Sequence, residues 1–253
     1  ENYFADNIEP KYKLFLRKLI EIEFQDDSEI NEQYFFTPIE KKCFAYFLVI
    51  QQIRIKKVRS LIEDVCDMLK QAFDGYELSP EVERMINVSK EEMSYVHGRI
   101  ICNEEKINKM AKTFADKSWI LLVNRTNTKL FTSDSPIGTL GDFEEQVVVN
   151  SDIKTNKKIM YFPVSPNLIL LMLEDKHIFK GKDIDRRIIP VYEKIHFEYF
   201  NQCIAIDAER CVISQNNNFL LIQDLLKDDP NIFENSDYVI NFNGKIFYPS
   251  KRK

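Results

Sequence analysis

The chain has 253 residues, 44% of them hydrophobic and 30% charged, with a formal net charge of −5. That length and balance describe a soluble globular protein of one large domain or two subdomains sharing an interface, and the negative field works against a nucleic-acid backbone as a partner of the whole surface. Six glycines, with no GxxxxGK or GxGxxG, argue against a Walker-type triphosphatase or a dinucleotide-binding Rossmann domain, where backbone must approach phosphate closely.

The first half reads as helix. Ile8, Tyr12, Phe15, Leu16, Leu19 and Ile20 recur at helical spacing, with Lys11, Lys13, Arg17 and Lys18 on the wet face. Thr37, Pro38 and Glu40 have the order of an N-cap, a first-turn proline and a capping-box acid, and the apolar pattern behind them predicts helix through residue 73. Ser79 and Pro80 start another, without a capping box because Val82 stands at its third position. The pattern continues over residues 104–117, so three to five helices are expected before Trp119.

The period then changes. Residues 118–126, 129–134, 145–150, 158–166 and 167–173 are short apolar or alternating runs separated by Asn, Thr, Ser, Gly and Pro, which predicts an antiparallel sheet with a hairpin loop at "NRTNTK". A helix over residues 192–209, a strand at 211–215, a short helix near 219–226 and a final hairpin turning at Asn243 and Gly244 complete the reading. The expected fold is α+β: a helical N-terminal half, residues 1–117, packed on a mainly antiparallel sheet in residues 118–253, together one compact domain.

Five cysteines without a CxxC pair predict reduced core thiols and a cytoplasmic setting, and three scattered histidines without HExxH argue against a histidine-rich zinc centre. No apolar run reaches the roughly 18–20 residues of a membrane helix, so no membrane partner is expected. The chain opens on Glu1 with a helix soon under way, which predicts that an N-terminal piece lies outside it.

Some polar residues do not fit their surroundings. On the helix of residues 44–59, Gln51 and Arg54 interrupt a stripe of Phe44, Phe47, Leu48, Ile55 and Val58. A buried guanidinium there requires an acid, either as an internal pair or as half of an anion-binding cleft. Ser133 and Asp134 in "FTSDSP" follow a strand and precede Pro136, which fits a hydrogen-bonded turn and also a strand-end site where a carboxylate holds a metal or takes a proton. "YFPVSP" repeats the pattern with Ser165, and Asn201 and Asp207 are polar among the apolar residues of a later helix.

In this order, "Q-x-x-R", "F-T-S-D-S-P", "F-P-V-S-P", an asparagine and "V-I-S" resemble a bacterial family catalogued as domain of unknown function 4238. The resemblance spans nearly the whole chain and rests on Glu1, Glu9, Gln51, Arg54, Arg59, Ser133, Asp134, Pro136, Pro163, Ser165, Pro166, Asn201 and Ser214. Two departures stand out: the family's arginine is followed by Thr-Pro where this chain has Ile55 and Lys56, which predicts an uninterrupted helix, and the family's opening "H-x-V-P-x-x-Y-L" has no match.

The functional expectation is that Glu9, Ser133 and Asp134 as catalytic groups, with Gln51 and Arg54 holding substrate, converge on one cleft. Such a set suits phosphoester chemistry with Mg²⁺ on the carboxylates, in a nuclease or nucleotide hydrolase of a toxin or phage-defence type acting on nucleotides or nucleic acid. The alternative is a non-catalytic ligand- or protein-binding module in which the same residues form a satisfied polar core. A third reading pairs Glu9 and Asp134 as the two acids of a glycosidase or transferase.

Overall fold

The computed structural model describes residues 6, 8–30, 33–140, 159–174, 184–230, 240–242 and 245–247. Among them, seven helices come before the first strand: α1 (Glu9–Ile22), α2 (Asp27–Ile30), α3 (Pro38–Ile53), α4 (Lys56–Ala72), α5 (Pro80–Ile86), α6 (Lys90–Ile101) and α7 (Glu104–Asp116). That exceeds the three to five expected, and local caps account for the surplus. Thr37 and Glu40 form the capping box that starts α3, while Ser89 with Glu92 form a second one at α6, and Asn103 caps α7.

The long helix expected over residues 37–73 is two helices. Arg54 ends α3, and Ile55 takes the extended backbone of an N-cap (φ −69°, ψ 154°) before α4. This is where the resembled family has Thr-Pro, a capping residue followed by a first-turn proline. Here the bend persists although Ile55 offers no capping oxygen. Its side chain is buried instead, and His97 of α6 bonds the carbonyl of Ile53 at 2.6 Å, engaging one of the last carbonyls of α3.

The second half contains β1 (Ser118–Asn124), β2 (Thr132–Ser133), β3 (Gly138–Leu140), β4 (Ile159–Ser165), β5 (Leu168–Leu173), β6 (Arg187–Val191), α8 (Lys194–Asp207), β7 (Val212–Ile213), α9 (Leu220–Asp228), β8 (Ile240–Phe242) and β9 (Lys245–Phe247). Five strands form one sheet in the order β3-β4-β5-β1-β6, antiparallel except where β6 runs parallel to β1. The chain is α+β. The strands β8 and β9 pair antiparallel, while their turn at Asn243 and Gly244 and the strand expected over residues 145–150 lie outside the described residues.

Alternation along β1 divides the core. Trp119, Leu121 and Val123, opposite Met172, Leu170 and Leu168, face α1, α3 and α7, whereas Ile120 and Leu122, opposite Leu171 and Ile169, face α8. Every residue of β1 and β5 is buried because both faces are covered, which explains their nearly unbroken apolar runs. Each fully buried Leu or Ile contributes roughly 1.5–3 kcal/mol.

Two close contacts fix the edges of these layers. Lys41 of α3 is buried, and its ammonium meets Asp185 Oδ1 and the Lys117 carbonyl, both at 2.6 Å. Asp185 also accepts the Trp119 amide, so one ion pair ties α3 to the starts of β1 and β6. On the other face, Tyr161 donates its hydroxyl to Asp207 Oδ2 at 2.6 Å directly over Gly138, leaving no room there for a Cβ. Burial and then the Asp207 carboxylate push the Tyr161 pKa upward.

Candidate functional site

Asn201 sits on α8 among Phe197, Phe200 and Ile204 and is almost fully buried. Its amide accepts the Phe131 N–H at 2.7 Å and donates to the Lys129 carbonyl at 2.9 Å. Those bonds consume the backbone groups a strand would use, so the strand expected over residues 129–134 shrinks to the two residues of β2, which pair with β7 outside the main sheet. Asn124 shapes the preceding turn by donating to the Thr128 carbonyl and accepting the Thr126 amide and hydroxyl.

Holding this connection in place leaves a hollow of ≈ 390 Å³ between it, α8, the loop after β7 and α9. Phe131, Leu220 and Leu221 supply its apolar part, and Asn127, Asn201, Asn216 and Asn218 line it with amides. Asn127 and Asn216 are exposed, and their side chains form no hydrogen bond among the described residues. Three charges reach it: Glu198 and Asp224, paired with the exposed Lys194 and Lys227, and Lys129, whose ammonium bonds Asn167 Oδ1. With each carboxylate already paired with a lysine and the Lys129 ammonium held by Asn167, the groups the lining leaves open are mainly the neutral amides of Asn127 and Asn216, which suit hydroxyl and amide partners.

The "FTSDSP" corner is a clasp. Ser133 donates its hydroxyl to the Ser135 carbonyl at 3.0 Å and accepts the Ser135 amide at 3.2 Å. Asp134 Oδ1 accepts the N–H groups of Glu209, Arg210 and Cys211, and Oδ2 accepts Nε of Arg210 at 3.0 Å. Burial alone would raise the Asp134 pKa, but the Arg210 guanidinium and the three amides outweigh it and hold the carboxyl below its ordinary value.

Glu9 and Arg54 do meet, as an ion pair at 3.5 Å, but both are half exposed. The expectation of a buried Arg54 is corrected: α3 stops one residue earlier, and its buried cation is Lys41. Gln51 is buried as expected. Among the described residues no hydrogen bond or ion pair links Glu9, Gln51 or Arg54 to Ser133 or Asp134. Of the other positions carrying the resemblance, Arg59 pairs with Glu63, Ser165 donates to Glu23 at the end of α1, and Glu1 lies outside the described residues.

Among the described residues, no three His, Cys, Asp or Glu side chains come together as a metal site, so the expected Mg²⁺ has no ready donor set there. No described helix is long and apolar enough to cross a membrane.

Fold and hollow thus define an α+β protein with a sheet covered on both faces and a polar recess beside α8. The family model described as "Protein of unknown function (DUF4238)" matches residues 1–218, and the chain belongs to that family. No curated protein and no solved structure matches it.

The lining asparagines were missed as a site because "NRTNTK" and "SQNNNF" have the composition of ordinary turns. The available signal was the recurrence of asparagine-rich loops on either side of the helix that carries Asn201.

Proposed function

We propose that the chain is a ligand-binding module and that the hollow beside α8 takes a small, neutral, hydroxyl-bearing molecule of the sugar or nucleoside kind. One observation carries this reading: Asn201 and Ser214, two positions of the family resemblance far from "FTSDSP" in sequence, line the same hollow. Its volume of ≈ 390 Å³ lies within the roughly 300–1,000 Å³ usual for small-molecule sites. Asn127 and Asn216 offer amides that can donate and accept, and Phe131 offers an apolar floor.

The bonding of the corner residues favours binding over phosphoester cleavage by a nuclease or nucleotide hydrolase. A catalytic Asp134 would have to surrender four hydrogen bonds to take up a metal or a proton, and the Ser133 hydroxyl is directed at a backbone carbonyl.

Calorimetric titration of the full chain with neutral sugars and nucleosides, alongside the matching nucleoside monophosphates, tests the reading. Saturable binding of a neutral compound is expected, weakened about tenfold by Asn127→Ala or Asn216→Ala, the loss of one to two hydrogen bonds. Binding of the phosphorylated compounds alone, or nuclease activity abolished by Asp134→Asn, would replace it with the phosphoester reading.

A further inference from the structure

The walls of the hollow are not all of one kind. Asn201 and Phe131 are buried, whereas Ser214, Asn216, Leu220 and Leu221 belong to a stretch, residues 208–229, in which no residue is buried. That stretch comprises the corner after α8, β7, the asparagine loop and α9. It meets the core through Val212, Phe219, Leu221 and Ile222, all only half-buried, with the Phe219 ring 5.8 Å from that of Phe131. A segment with so little apolar surface removed from water opens without the rest of the fold.

Its polar attachment is concentrated at one point. Among the described residues, every hydrogen bond from residues 210–228 to the rest of the chain ends on β2 or on Asp134. Asp134 Oδ1 gathers the Glu209, Arg210 and Cys211 amides just before β7, and the Asp134 N–H donates to the Cys211 carbonyl at 3.4 Å. Past β7, Ser214 Oγ accepts the Asn216 amide and Asn218 Oδ1 the Leu220 amide, bonds internal to the loop that let it move with α9 as a unit.

We propose that residues 212–228 are a strap that opens and closes over the hollow, and that Asp134 is the positioning residue which holds it closed. Asp134 does not itself line the hollow; it acts through β7, whose exit brings Ser214 and Asn216 onto the lining. The proposal rests on the ligand-binding reading of the hollow, and gives Asp134 a part in it: a ligand bonded to both the strap and α8 holds the strap shut, so ligand and clasp reinforce each other.

Hydrogen–deuterium exchange on the full chain without ligand tests the strap. The amides of β7 and α9 should exchange faster than those of β1 and β5. Asp134→Ala should speed them about thirtyfold, and Asp134→Asn, which keeps an oxygen for the amides, about fivefold. Titration with the neutral sugars and nucleosides then tests the coupling. A compound that saturates the parent should slow exchange in β7 and α9. Its affinity should fall by up to about thirtyfold in Asp134→Ala and by no more than about fivefold in Asp134→Asn, since affinity scales with the closed fraction. The proposal is overturned if β7 and α9 exchange no faster than β1, or if Asp134→Ala leaves either their exchange or the affinity as in the parent. Binding lost as fully in Asp134→Asn as in Asp134→Ala also overturns it, because the carboxylate would then act on the ligand and not through the strap. A parent that binds no neutral compound overturns the ligand reading and the coupling with it, a failure told apart from that of the strap because the exchange is measured without ligand.

Discussion

Replacing Asp134 by Ala removes one acceptor from the Glu209, Arg210 and Cys211 amides and another from the Arg210 guanidinium. The Arg210 side chain is 67% exposed, so the ion pair itself counts for little. The amide bonds span 3.1–3.4 Å and converge on a single oxygen, which puts each near the ordinary net value of about 1 kcal/mol and not at the charge-assisted maximum. The sum is about 2–3 kcal/mol, or roughly 5–10 °C in melting temperature for a chain of this size. Asp134→Asn keeps an oxygen for the amides but turns an NH₂ toward Arg210, and should cost about 1 kcal/mol. The native pKa of Asp134 lies below its ordinary value of 3.8, so the stability due to its charge is complete above that pH and is lost as pH falls through the native pKa. The gap between parent and Asp134→Asn, measured by urea unfolding, should therefore be constant near neutrality and close in that acid range. An Asp134→Ala variant that melts with the parent while losing a measurable activity would make this carboxylate a working group and refute its role as a clasp.

Gly138→Ala places a Cβ 2.1 Å from Tyr161 Cζ and 2.2 Å from Asp207 Oδ2, and urea unfolding should show a loss at or above the roughly 1–3 kcal/mol usual for overpacking. Lys41→Met should cost about 1.5–3 kcal/mol, the loss of the buried ammonium's charge-assisted bond, with Asp185 keeping the Arg186 guanidinium and the Trp119 amide, whereas Arg54→Ala should cost at most about 1 kcal/mol; equal losses in denaturant melts would contradict the burial assigned to each. Lys56→Pro falls on the first residue of α4 and should raise stability by about 0.4–1 kcal/mol in thermal melts. In a continuous helix the same change would cost about 3 kcal/mol.

What the sequence disclosed was mostly what local rules decide. The capping box at Thr37, the apolar strands β1 and β5 and the helix carrying Asn201 all follow from periodicity and caps, and they stand where those patterns placed them. The break at Ile55 was illegible because it lacks a capping side chain and is held by burial and by His97, which is 44 residues from its partner. Arg54 was misplaced for the same reason: its helical neighbours are buried, but the helix ends before it. In "FTSDSP" the polar grouping was plain, yet whether Asp134 serves a turn or a reaction depends on amides 75–77 residues away. Local pattern cannot report such partners.

The pairing of β1 sets a constraint on synthesis. Ser118 lies opposite Leu173, Val123 opposite Leu168 and Ile120 opposite Arg187, so a largely apolar strand leaves the ribosome 45–55 residues ahead of β5 and 67 ahead of β6. At about 5–20 residues per second it waits seconds for them. During that interval only the helices already made, with Phe44 and Phe114 among their inward residues, are at hand to shelter it. The face of β1 that carries Trp119, Leu121 and Val123 is thus the one whose cover is already synthesised when the strand emerges.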